Sequence, residues 1–150
     1  MHHLSVLIDK LKSDAKNGVL LKTERNKEFS VSPITKDGDI IGVNVSNLGN
    51  ANRFLSIEVF VAVISLLELS PGKRAIFGKV MRAGHSFKLG DPELPLNSIE
   101  GHVAKVIYGK NVGDILFKRT TPISYICEWA GICEIVRPQG EVPRGLRLLD

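Results

Sequence analysis

The thirty residues TTPISYICEWAGICEIVRPQGEVPRGLRLL, Thr120 to Leu149, constrain the fold more than any other stretch of the chain. Threonine caps helices and proline fits the first helical position, so Thr120-Thr121-Pro122 predicts a helix start. Ile123, Ile126, Cys127 and Ala130 recur at helical spacing and form its inner face. Gly131 suits the left-handed position that ends a helix. Glu134-Ile-Val-Arg, a turn at Pro138-Gln139-Gly140 and Arg144-Gly-Leu-Arg-Leu-Leu then read as two strands and their connection. A helix over 121–130 is followed at once by a hairpin over 134–149, and the apolar face of the helix needs further elements to pack against.

The preceding residues supply them. Ser56 can cap a helix over 57–70, with Glu58 in the first turn, where the helix dipole favours a carboxylate. Phe60, Val63, Ile64 and Leu67 form its buried stripe, and Pro71-Gly72 ends it. Asn97 or Ser98 starts a second helix over 98–108, with Ile99, Val103, Val106 and Ile107 on one face. Nearer the amino terminus, Leu4, Leu7, Ile8 and Leu11 share a helical face that Asn17-Gly18 terminates. Val19–Leu21 and Phe29–Ser32 are short strand-like runs, and Asp37-Gly38 is a turn before the alternating Ile41, Val43 and Val45. Asn47–Asn52 reads as loop. The expected fold is α+β, one unit with an N-terminal helix-and-strand portion, 1–54, and a C-terminal portion of three helices plus a hairpin, 55–150.

With 43% hydrophobic and 24% charged residues among 150, the chain can bury a sizeable core. Its longest apolar run, Val59 to Leu67, is interrupted by Ser65 and followed by Glu68, too short to span a bilayer. MHHLSVLIDKLKSDAK lacks the apolar centre and small-residue cleavage site of a secretory signal, so a cytoplasmic location is expected. Cys127 and Cys133 have no second pair and read as buried free thiols. The net charge is +4, but its distribution says more. Between Leu69 and Gly90 there is no Asp or Glu, while Lys73, Arg74, Lys79, Arg82 and Lys88 are all present. Such a stretch is either a solvated loop beside an acidic face or a site for a polyanion.

The order helix, helix, helix, hairpin, together with WAGICEIVRPQGEVPRGLRLL, resembles the end of a winged helix-turn-helix domain. The likeness lies at the level of the superfamily and covers residues 55–150. It implies a DNA-binding module in which the third helix enters the major groove while basic groups around it hold phosphates. The resemblance places Ser124, Tyr125 and Glu128 outward on that helix, Lys118 and Arg119 before it, and Arg137, Arg144 and Arg147 on the hairpin. Lys73, Arg74, Lys79 and Arg82 would assist from the basic stretch, with His102, Lys105 and Lys110 contributed by the second helix and its turn. The third helix departs from the pattern, since it carries none of the Asn, Gln or Arg residues that pair with base edges, and Glu128 would repel phosphate. A regulator, or the recognition part of a restriction or mobile-element system, is the corresponding role by analogy of fold.

Enzymatic patterns are weak. Asp14-Ala15-Lys16 lies on the first helix without the strand context of a metal-dependent nuclease. Asp37-Gly38-Asp39 is a turn, Asp91-Pro92-Glu93 a loop, and Glu100 with His102 lacks a second histidine for zinc. No phosphate-binding loop, nucleophile elbow or dinucleotide fingerprint occurs, and His2 and His3 lie at an expected frayed end. The expectation is a non-enzymatic protein with no cofactor or metal. The other reading is a protein-interaction module whose partner meets the apolar surface near Tyr125 and Trp129. The two differ in charge topology: cations of 73–88 and of the hairpin on one face favour nucleic acid, and scattered ones favour a scaffold.

Overall fold

In the computed structural model, which describes residues 2–48 and 53–150, α1 (His2–Asp14) leads into an antiparallel meander of four strands. These are β1 (Val19–Lys22), β2 (Glu28–Lys36), β3 (Asp39–Val45) and β4 (Phe54–Ser56), paired in chain order. The β2–β3 hairpin forms because Asp37 and Gly38 both adopt positive φ, 52° and 84°, between the paired Lys36 and Asp39. That two-residue turn carries the twist of the flanking strands. Pro33 fits within β2 because β1 pairs only with Glu28–Val31, so its missing N–H falls beyond that ladder. Within the loop read over 47–52, residues 49–52 lie outside the described residues.

The chain continues through α2 (Ile57–Leu69), a 3-10 turn (Pro71–Lys73) and β5 (Arg74–Ile76) to a small hairpin of β6 (Met81–Arg82) and β7 (His85–Ser86). After α3 (Ile99–Val106) and α4 (Thr120–Trp129), β8 (Cys133–Val136) and β9 (Gly145–Leu148) complete a second antiparallel sheet in the order β5-β9-β8. The architecture is mixed α+β, with four helices and antiparallel sheets among the described residues. No described helix is long and apolar enough to cross a membrane.

The helix α2 is apolar on most of its circumference and is accordingly enclosed, contacting α1, α3, β3, β5 and β9. Leu7 and Leu11 from α1, Phe29 and Val31 from β2, Phe60 and Ile64 from α2, Ile123 and Ile126 from α4, and Leu146 from β9 belong to one buried cluster. Core residues thus come from both sides of position 54, which is itself the first residue of β4. A second, smaller cluster of Val80, Phe87, Leu89, Leu94, Ala104 and Leu116 lies under the insertion between β5 and α3. His3, expected at a frayed end, is hydrogen-bonded through Nε2 to the carbonyl of Leu149 at 2.6 Å.

The start of α4 is built differently from the expectation that a threonine caps it. Glu100, on α3 and only 3% exposed, accepts the backbone N–H of Arg119 at 2.9 and 3.0 Å and that of Thr120 at 3.0 Å. A carboxylate remote in sequence therefore satisfies the first amides of α4 at the end where the helix dipole favours negative charge. The other end of α4 follows the expected pattern: Gly131 has φ 77°, its N–H meets the Glu128 carbonyl, and the Ile132 N–H meets that of Cys127.

Candidate nucleic-acid interface

Tyr125 is the hub of the surface around α4. Its hydroxyl accepts the backbone N–H of Glu24 at 3.1 Å and Nη2 of Arg144 at 3.0 Å, and its ring meets that of Phe29 edge-on, centroids 6.5 Å apart. The β1–β2 segment thus packs on the face of α4 that the sequence reading turned outward. Ser124 is fully buried and donates to the Thr121 carbonyl, because its position shares the inner side with Ile123 and Cys127. Glu128 is the single exposed residue among Thr120–Trp129, and its Oε2 accepts the N–H of Ile135. Trp129 is half-buried, with Lys10 Nζ 5.4 Å from the ring centroid.

The hairpin arginines are engaged within the molecule. Arg137 and Arg144 both pair with Glu24, the latter at 3.0 Å, and Arg147 pairs with Glu134 across β8–β9 at 2.6 Å. Arg119 is buried with its guanidinium carbon 3.7 Å from the Tyr108 ring centroid and Nη1 donating to the Phe117 carbonyl. Its side chain therefore packs inside the molecule instead of standing in solvent. Among the basic stretch, Lys73 pairs with Asp150 at 3.3 Å, Arg74 stands opposite Arg147 in the sheet, and Arg82 sits in β6 beside the hairpin turn. His102 is half-buried, and burial holds the imidazole below its ordinary pKa although its ring N–H donates to the Ala62 carbonyl, which pulls the other way. Lys105 and Lys110 are exposed.

What the fold does bring together is a cleft of about 850 Å³ between the β6–β7 hairpin and the start of α4. Lys79 from the acid-free stretch, Lys118 before α4 and Arg144 at the base of the hairpin line it, with Glu93 the one carboxylate. Phe77, Phe117 and Tyr125 supply aromatic walls. A second cleft of about 760 Å³ opens on the other side, toward Thr23–Phe29, and shares Phe117, Lys118, Thr121, Tyr125 and Arg144 with the first. Arg25 and Lys27 line this second cleft together with Glu24 and Glu28. Lys73, Arg74, Arg82, Arg137 and Arg147 line neither.

Sequence reasoning placed Lys79 and Lys118 among the site residues but missed Arg25, Lys27 and Phe117. The charged segment KTERNKE held the first two, yet only the packing of β1–β2 on α4 brings them beside Lys118. Among the described residues no three His, Cys, Asp or Glu side chains come together as a metal site. Cys127 and Cys133 are both buried free thiols, and the neighbouring Cys133 together with burial pushes the Cys127 thiol well up. Compared with protein-family models, with curated proteins and with solved structures, the chain matches none.

Proposed function

We propose that the protein is a non-enzymatic nucleic-acid-binding module, with DNA the first candidate ligand. The observation that carries this reading is the meeting of Lys79 and Lys118, from separate segments and in no ion pair among the described residues, with Arg144, which Glu24 and Tyr125 hold in place, on one aromatic-walled cleft. Phosphate contacts from such cations dominate nucleic-acid affinity. Support for a winged-helix-like C-terminal portion comes from connectivity: α2, β5, α3, α4, β8 and β9 occur in that order, with the β6–β7 hairpin inserted between β5 and α3, and the sheet order is β5-β9-β8. A role as regulator or as the recognition part of a restriction or mobile-element system follows from that likeness alone.

The test is fluorescence anisotropy with labelled DNA at two salt concentrations, using the native chain and a Lys79→Glu/Lys118→Glu double variant. Binding should fall steeply with salt, and the variant should bind more weakly with a shallower salt slope, by about one unit per lost phosphate contact. Salt-independent binding, or a variant equal to the native chain, overturns the reading.

A second reading, a protein-interaction module, is favoured by Val112, Ile115 and Phe117, which are 67%, 58% and 40% exposed on the segment between α3 and α4. Exposed apolar groups gathered on one loop are a common mark of partner surfaces. Co-purification of a partner lost in a Val112→Ser/Ile115→Ser variant would favour it.

A further inference from the structure

The nucleic-acid reading leaves open which form is bound, and the geometry around α4 bears on that. A helix that reads duplex DNA must project an exposed face into the major groove, which is about 12 Å wide. Here Tyr125 is fastened to Glu24 and Arg144 and packed on Phe29, and Glu128 alone on α4 is exposed. The helix start is recessed between the β6–β7 hairpin on one side and the β1–β2 segment on the other. A ligand has to come into the molecule to reach it, and what it meets there is a pair of clefts that share Phe117 and Lys118 in their walls.

The lining fits a strand with a charged backbone and flat bases. Phe117 is 40% exposed and lines both clefts, with the Arg119 guanidinium carbon 5.2 Å from its ring centroid, and every base has a face that can stack on an aromatic ring. Lys118 sits beside it, Lys79 lies on the hairpin side, and Arg25 and Lys27 lie on the β1–β2 side. Among the described residues none of these four cations is in an ion pair. The carboxylates present are Glu93 in one cleft and Glu24 and Glu28 in the other, and Glu24 is already held by Arg137 and Arg144. Glu93 offsets Lys79 and Glu28 offsets one of Arg25 and Lys27, so with Lys118, which both clefts share, the charge left to a ligand is positive in each.

Resting on the nucleic-acid reading, we infer that the two clefts are one groove that holds single-stranded nucleic acid across the start of α4. A base stacks on Phe117, and the backbone runs between Lys79 and Lys118 on one side and Arg25 and Lys27 on the other. Oligodeoxythymidine and oligouridine share this chemistry, and the experiment separates them.

The experiment is an anisotropy titration at low salt with labelled oligodeoxythymidine, oligouridine and a DNA duplex, each about 12 nucleotides long. The native chain, Phe117→Ala, Phe117→Trp, Lys27→Ala/Lys118→Ala and a Lys16→Ala control in the turn after α1 are compared after circular dichroism has shown each folded. The expected result is single-strand binding tighter than duplex binding, weakened about ten-fold or more by Phe117→Ala, preserved by Phe117→Trp, and weakened by the lysine pair but not by the control. The stronger of thymidine and uridine oligomers names the natural strand. A duplex bound more tightly than either single strand, or single-strand binding indifferent to Phe117→Ala and to the lysine pair, overturns the groove while leaving a nucleic-acid module. No binding by any of the three probes overturns both.

Discussion

At the scale of the residue, two glutamates order the surface around α4 by different means. Glu100 is buried, and burial raises its carboxyl above the ordinary range although the amides of Thr120 and Arg119 pull the other way. A folded-state pKa above the unfolded one means that the folded chain holds the proton more tightly. The stability this contributes is full below the unfolded carboxylate pKa and is lost as pH rises through the folded value. The stability difference between Glu100→Gln and the native chain should therefore move in the variant's favour from acid toward neutral pH, read from urea midpoints. A constant difference would show that burial does not perturb the carboxyl. Glu100→Ala leaves two buried amides without an acceptor and should cost roughly 2–4 kcal/mol at any pH. Glu24, by contrast, is 41% exposed, so its pairs with Arg137 and Arg144 contribute under about 1 kcal/mol to folding. Glu24→Gln should leave the melting temperature nearly unchanged and tighten nucleic-acid binding by freeing both guanidiniums; weaker binding would show instead that the carboxylate positions them.

At the scale of the element, close packing explains why α3 carries a glycine in its interior. Glycine costs a helix about 1 kcal/mol relative to alanine. A Cβ on Gly101 would lie 2.2 Å from the Pro95 carbonyl oxygen, which the backbone holds in place. Gly101→Ala should thus destabilise by about 1–3 kcal/mol in chemical denaturation, the reverse of its propensity. A stabilised variant would mean that the Pro95 turn yields. Legibility in the sequence follows the same division between local and distant causes. All four helices were readable because their apolar spacing and stop signals are local, as at Leu4–Leu11 and Gly131. The Asp37-Gly38 turn was readable for the same reason. The β6–β7 hairpin was not, since its turn uses Ala83 at φ 48° before Gly84, and alanine is no signal for that conformation. Strands β4 and β5 were hidden because each is three residues long and defined by its partner. In the site, Lys79 and Lys118 could be named from charge alone. The arrival of Arg25 and Lys27 depends on contacts across about a hundred residues of chain, as between Glu24 and Tyr125, whereas the burial of Ser124 follows from its place beside Ile123 and Cys127 and that of Arg119 from Tyr108 and Phe117.

At the scale of the whole molecule, one core joins α1 and the meander to the C-terminal helices. Trp129, the sole tryptophan, is on α4 beside Lys10 of α1, so its fluorescence reports on that junction. Unfolding followed by tryptophan fluorescence and by far-ultraviolet circular dichroism should give coincident transitions, as a single cooperative unit requires. Two separated midpoints would mean that the meander and the C-terminal portion melt independently. The hold of Glu100 on Arg119 and Thr120 carries a consequence at this scale too. The disposition of α3 and α4 is set by a direct bond between the helices, and the connection between them is relieved of that task. Gly109 and Lys110 stand exposed at its outer end, where closing a loop twice as long costs only about 0.6 kcal/mol more. The bend at Gly109 and Lys110 is thus where a tag or an additional recognition loop could be spliced, ahead of Gly113–Leu116, which the bonds to Leu89 and the burial of Leu116 tie to the second cluster.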